Sequence, residues 1–242
     1  MVRGNEVCHI RGICSQQSDQ ANAPPQSFFN DYIQVMAAHL VEHPLVTERL
    51  TRLRMVATSR PDFRRILSEL STYVLFDALR TIETTEIDID TPLEPTTGVM
   101  IANPPLLIPV MRAGLGMLDA ALNLLPESRV GFIGLKRDEE TLLPQAYANT
   151  VPDDLKGQSC LVLDPMLATG GSLAHTCALL AEANAGTVMV ACVLASPEGI
   201  ALLDDQHGDI AVWTAAIDES LNDVGFIRPG LGDAGDRQFG LS

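Results

Sequence analysis

Positive charge is scarce in this chain: 16 Lys and Arg stand against 31 Asp and Glu, a formal net charge of −15. There is no basic stripe, which excludes nonspecific nucleic-acid or anionic-membrane binding as the main role. An anionic small molecule is not excluded, because charges beyond about 10 Å are screened and local amides, arginines or a divalent cation decide the matter. Cysteine is also sparse. The five residues Cys8, Cys14, Cys160, Cys177 and Cys192 are odd in number and form no Cys-x-x-Cys pair and no zinc-type Cys/His spacing. That excludes a disulfide scaffold and a zinc finger, and points to reduced thiols in a cytoplasmic protein. The N-terminus lacks a continuous apolar run, so neither a signal peptide nor a membrane span is expected there.

What is present suits an enzyme-sized core: 242 residues, 46 % of them hydrophobic. Residues 1–27, with Gln16-Gln17-Ser18-Asp19-Gln20 and Pro24-Pro25, read as a flexible extension, and 28–242 as one domain. Between Phe28 and Leu45 helix and strand are hard to separate. Thr47 to Ser71 reads as two helices, the second starting at Ser59 before Pro61. Strands are expected at Leu106–Met111, Arg129–Leu135, Ser159–Leu163, Val188–Ala195 and, last, Ile210–Ala216. Helices are expected at Ala113–Leu125, Ser172–Asn184 and after the Ser196-Pro197 start signal. Lys136–Thr150 is a polar excursion or hairpin. The fold class is therefore α/β, a central, mostly parallel sheet flanked by helices, with a small C-terminal hood.

The densest signal runs from Cys160 to Ser172. A hydrophobic strand ends at Asp164; Pro165, Met166, Leu167 and Ala168 follow; then Thr169, Gly170, Gly171 and Ser172 open a helix. Glycines let the backbone approach an anion, and the amides of the first helical turn point at it. An acid just upstream suits sugar hydroxyls if that anion is a 5′-phosphate. No Gly-Lys-Ser/Thr follows, so this is not a Walker A loop.

Three more stretches fall near expected strand ends, where open α/β sheets bind ligands. Arg112 follows a strand and precedes Gly114 and Gly116, and its planar fork suits phosphate oxygens. Arg137 follows another strand and could close over a diphosphate; Asp138, Glu139 and Glu140 behind it read as a solvated charge run. The run Asp218–Gly240 has too many glycines for a helix or strand, and such backbone can offer its own amides and carbonyls to a small planar ligand. A backbone N–H, C=O, N–H series complements the O4, N3, O2 edge of uracil and opposes cytosine. None of the five histidines makes a catalytic dyad.

Asp164-Pro165-Met166-Leu167-Ala168-Thr169-Gly170-Gly171-Ser172 resembles the signature of the phosphoribosyltransferases that use phosphoribosyl pyrophosphate (PRPP), in the form typical of the uracil phosphoribosyltransferase family. The likeness extends over roughly residues 40–242, and a cis non-proline peptide in the Arg112–Gly114 stretch goes with it. It implies conversion of uracil and PRPP to UMP and diphosphate with Mg²⁺ carried by PRPP, no separate protein metal site, and a homodimer or larger assembly. It assigns Arg112, Arg137, Asp164–Ser172 and Asp233 to PRPP, and Ile227, Gly232, Asp233 and Ala234 to uracil. Asp164, Arg137 and Asp233 are the implied catalytic groups. Two departures are visible: Phe226 replaces a tyrosine and Lys136 an aromatic residue. A phosphoribosyltransferase for another base and a non-enzymatic nucleotide sensor on the same fold are the rival readings. GTP activation stays open.

Overall fold

Strands that are apolar at every position have to be covered on both faces, and these are. The computed structural model describes residues 38–137 and 144–240. Residues 1–27, the start of the Phe28–Leu45 stretch and the acidic run Asp138–Glu140 lie outside the described residues. The strands are β1 (Ala38–Leu40), β2 (Thr84–Asp90), β3 (Pro95–Ile101), β4 (Leu106–Met111), β5 (Ile133–Arg137) and β6 (Pro144–Asn149). They continue with β7 (Cys160–Leu163), β8 (Met166–Leu167), β9 (Val188–Ala195), β10 (Ala211–Ile217), β11 (Ser220–Leu221) and β12 (Ile227–Arg228). The helices are α1 (Pro44–Arg54), α2 (Arg60–Ala78), α3 (Leu115–Leu124), α4 (Gly171–Glu182), α5 (Pro197–His207) and α6 (Ala234–Phe239).

The main sheet runs β1-β10-β9-β7-β4-β5-β6, parallel except for β6, and β8 adds to β9. Strand β7 shows why it is covered twice. Leu161 and Leu163 enter one core, with residues of α1, α2 and α3; Cys160 and Val162 enter the other, with residues of α4 and α5. That is the two-residue period of a strand read out on both sides. The strand order reverses between β4 and β7, adjacent parallel strands whose crossovers lead to β5 on one side and β9 on the other. Such a switch point opens a crevice at the strands' carboxyl ends.

Local signals set the helix starts. Ser59 accepts from the Asp62 amide at 3.3 Å and Ser196 from the Gly199 amide at 2.9 Å, each next to a proline in the first turn. His43 Nδ1 accepts from the Leu45 amide, a capping role for one of the histidines.

Three differences from the sequence expectations stand out. Arg129–Leu135 starts its regular pairing only at Ile133, after an isolated Leu107–Val130 bridge. Strands β5 and β6 pair antiparallel at the sheet edge, as a hairpin over Lys136–Thr150 requires; one face is wet there and no apolar alternation is needed. Thr84–Ile101 is a two-stranded hairpin, β2–β3, that escaped notice because it has almost no buried face. Ile210–Ala216 is not the last strand: β11 and β12 pair beyond it, and Asp233 caps the short helix α6 within the glycine-rich run.

Candidate active site

Strands β4 and β7 end side by side at the switch point, with Pro109 opposite Leu163. The next residues are two of the expected site residues: Arg112 after β4 and Asp164 after β7. The Met111–Arg112 peptide is cis, one bond ahead of the expected stretch.

The loop after Asp164 is built mainly by backbone. Met166 and Leu167 pair with Leu194 and Ala195, and the amides of Val193 and Leu194 both donate to Pro165 O at 3.0 Å. Ser196 Oγ donates to Ala168 O at 2.6 Å, so the cap of α5 also fixes the loop. Gly170 has φ +81°, a left-handed conformation that side chains rarely adopt, and from it α4 begins. Asp164 is buried, 8 % exposed, and accepts from the Met166 amide at 3.3 Å. Burial pushes its carboxyl up to about 7, against a smaller lowering by that amide. Ordinary pH thus leaves a mixture of neutral and ionised forms, and a cation or hydroxyl donor arriving in the site favours the ionised one.

The C-terminal run comes back over this loop. Met166, Ala168 and Thr169 form one wall of a cavity of about 290 Å³; Val224, Gly225, Phe226, Ile227, Gly232 and Asp233 form the other. On the far side of Gly232 and Asp233 lies a second hollow of about 460 Å³, bordered by Val56, Thr58, Arg60, Asp236 and Arg237. Gly232 has φ +78°. Among the described residues its peptide N–H and C=O have no hydrogen-bond partner. Asp233 Oδ1 accepts from the Asp236 amide at 2.7 Å. The Ile227 side chain is buried in the core, so what it can turn toward the cavity is backbone.

Arg112 reaches the same place. Its side chain is 44 % exposed, with Nη2 3.4 Å from Asp236 Oδ1. The structure therefore brings Met166, Ala168 and Thr169 together with Ile227, Gly232 and Asp233, and sets Arg112 against Asp236, three residues after Asp233. Arg137 ends β5, and its side chain lies outside the described residues. Of the acidic run behind it nothing is described.

Several residues that hold this site in shape escaped the sequence reading. Arg54, at the end of α1, makes a two-pronged ion pair with Asp218 at 2.5 and 2.6 Å and donates to Gly230 O at 2.8 Å. Asp218 also accepts from the Gly230 amide at 2.8 Å. Arg237 donates to Leu53 O, Leu231 O and Met55 O, with its guanidinium 4.4 Å from the Phe63 ring centre. Glu198 accepts from the Leu221 amide at 3.1 Å. Asp218 and Glu198 stood in recognised stretches without a role. Arg54 has no role in the sequence reading, since nothing nearby in sequence names its partner.

A family model described as uracil phosphoribosyltransferase matches residues 40–241. The chain belongs to the uracil phosphoribosyltransferase family. It is 49 % identical over 211 residues to the uracil phosphoribosyltransferase of a Nocardioides species, covering 85 % of this chain and 99 % of that one. Identity to the uracil phosphoribosyltransferase of Streptomyces avermitilis is 50 % over 210 residues, covering 86 % and 100 %. Among solved structures, the AQ2163 protein from Aquifex aeolicus is similar at 34 % identity with a TM-score of 0.79, over 85 % of this chain and 99 % of that one. Membership agrees with the architecture: the motifs of the family fall at the switch point of a mostly parallel sheet. Among the described residues no helix is long and apolar enough to cross a membrane.

Proposed function

We propose that the protein transfers the phosphoribosyl group of PRPP to N1 of uracil, giving UMP and diphosphate in pyrimidine salvage. The observation that carries this reading is the shared cavity, with the phosphate loop on one wall and the Gly225–Asp233 backbone on the other. The bond from C1′ to the diphosphate oxygen breaks, the C1′–N1 bond forms, and the N1 proton leaves. Positive charge develops on the ribose and negative charge on the leaving diphosphate, so the work of the protein is positioning and charge stabilisation.

Ala168 to Ser172 hold the 5′-phosphate through backbone amides and hydroxyls. Asp164 holds ribose hydroxyls and, once ionised, favours the developing positive centre. Arg112 and Arg137 hold the diphosphate. In the ligand-free protein Arg112 leans on Asp236, a weak contact that a diphosphate with more charge displaces. Uracil is read by the backbone of Ile227 and Gly232 to Ala234, and the unpartnered peptide groups of Gly232 support that assignment. Asp233 borders the shared cavity beside Gly232 and is the candidate acceptor for the N1 proton. The Mg²⁺ brought by PRPP supplies charge neutralisation on the leaving group.

The working protein is a cytoplasmic homodimer or larger assembly. Support for assembly comes from the β2–β3 hairpin, a two-stranded ribbon that exposes Leu93, Val99 and Met100. Sedimentation of the purified chain tests it, and a monomer at micromolar concentration would sink it. The activity is tested by offering PRPP, Mg²⁺ and each nucleobase in turn. UMP from uracil is expected, with cytosine and purines nearly inert. Turnover of cytosine or a purine at a comparable rate would overturn the assignment of the base.

A further inference from the structure

Helix α6 lies between two parts of the site that no strand connects. It starts at the base side, directly after Gly232 and Asp233, and its Asp236 faces Arg112 on the loop after β4. Gln238, on the same helix, is fully buried. Its side-chain amide nitrogen donates to two carbonyls, Ala113 O at 3.1 Å and Ala234 O at 2.9 Å. Ala113 belongs to the loop assigned to diphosphate and Ala234 to the segment assigned to uracil. One NH₂ group therefore fixes the spacing between the two.

Two further facts say that this link is specific. Gln238 Oε1 is buried and, among the described residues, has no hydrogen-bond partner. A methionine or leucine would fill the same space with no orphaned acceptor. What the amide adds over an apolar side chain is its pair of N–H bonds. The space around it is also closed: a Cβ on Gly116 would collide with Gln238 Oε1 and would come within 2.6 Å of Leu67 Cδ2. The amide is held in one position.

We infer that Gln238 is a positioning residue that couples the diphosphate and uracil subsites, so that filling one raises affinity for the other. It rests on the subsite assignment proposed above. When diphosphate orders the Arg112–Ala113 loop, the Ala113 carbonyl is fixed, and through Gln238 so is the turn that presents Gly232 to Ala234. The effect is reciprocal, since linkage between two bound ligands has no direction.

The test is calorimetric titration of uracil with and without saturating Mg²⁺–diphosphate, on the full chain. In the parent protein diphosphate should tighten uracil by roughly five- to tenfold, within the usual span for coupled sites. In Gln238→Met, which keeps length and removes the donors, this ratio should fall to near one while each ligand alone still binds. The melting midpoint should move by no more than about 4 °C. Gly116→Ala pushes the amide from the other side and should lower the same ratio, adding nothing in the double variant. It also carries the test if Gln238→Met does not fold. A ratio unchanged in both variants, or a parent protein that binds both ligands independently, overturns the coupling alone. A parent protein that binds neither ligand overturns the subsite assignment and the coupling with it.

Discussion

The two walls of the cavity are held in opposite ways. The Asp164–Ser172 wall is local: it lies between a strand and the helix that follows it, and its bonds go to the neighbouring strand β9 and to the cap of α5. The Gly225–Asp233 wall is remote. Its shape depends on Arg54, more than 160 residues earlier in the chain, and on Arg237 reaching back to the end of α1. A wall built from backbone pairing should yield little to a single side-chain change. A wall hung on a few side chains should fail when one is removed.

The largest effect is therefore expected at Asp218. Asp218→Ala leaves the half-buried Arg54 cation facing carbonyls and frees the Gly230 amide. Breaking a buried pair from one side costs about 3–5 kcal/mol. Urea unfolding should register that loss, and uracil binding should weaken more than diphosphate binding. Equal loss of both ligands would show that the two walls are one unit.

Asp164 tests the local wall, and there the sign is opposite. Its carboxyl is raised from the ordinary 3.8 to about 7, so the folded protein holds a proton that the unfolded chain has lost between those values. Stability contributed at this site falls as pH rises through that window and is level above about 7. Asp164→Asn removes the fall. At pH 8 the variant should be more stable than the parent, with a ceiling of roughly 4 kcal/mol, and at pH 4 about equal. Its transferase activity should be nearly lost. Melting curves across that range decide it; a less stable variant at pH 8 would mean the buried carboxylate is already paired.

Arg112→Ala should cost about ten- to a hundredfold in kcat/KM, from roughly 1.5–3 kcal/mol of charge-assisted contact, with melting almost unchanged because the side chain is largely in solvent. Steady-state kinetics with PRPP measure this, and near-parent turnover would remove Arg112 from the site. The smallest effect belongs to Gly232. With φ +78°, Gly232→Ala should lose about 1 kcal/mol or slightly more, expressed as a higher KM for uracil while PRPP binding survives. Unchanged uracil kinetics would place the base elsewhere.

A residue that meets uracil only through its backbone, as proposed for Ile227, should tolerate truncation of its side chain. Its burial says otherwise: Ile227→Ala removes core packing and carries a stability cost regardless of any contact with the base. In the same way, the reading of Asp218–Gly240 as neither helix nor strand missed β11, β12 and α6. Each is too short to show a period: β11 and β12 hold by pairing with each other, and Asp233 caps α6.

By itself the sequence determined the alternating α/β plan, the limits of β4 and β9, the proline-marked helix starts and the strand–loop–helix run Cys160–Ser172. In all of these the deciding interactions are within a few residues or are carried by hydrophobic period. Only the tertiary structure decided that β4 and β7 lie side by side at the switch point, that Arg54 and Asp218 meet, and that Gln238 spans the two loops. A buried hydrogen bond across more than a hundred residues has no local propensity to announce it; Arg54 and Gln238 have no assigned role until the fold supplies a partner and removes the water.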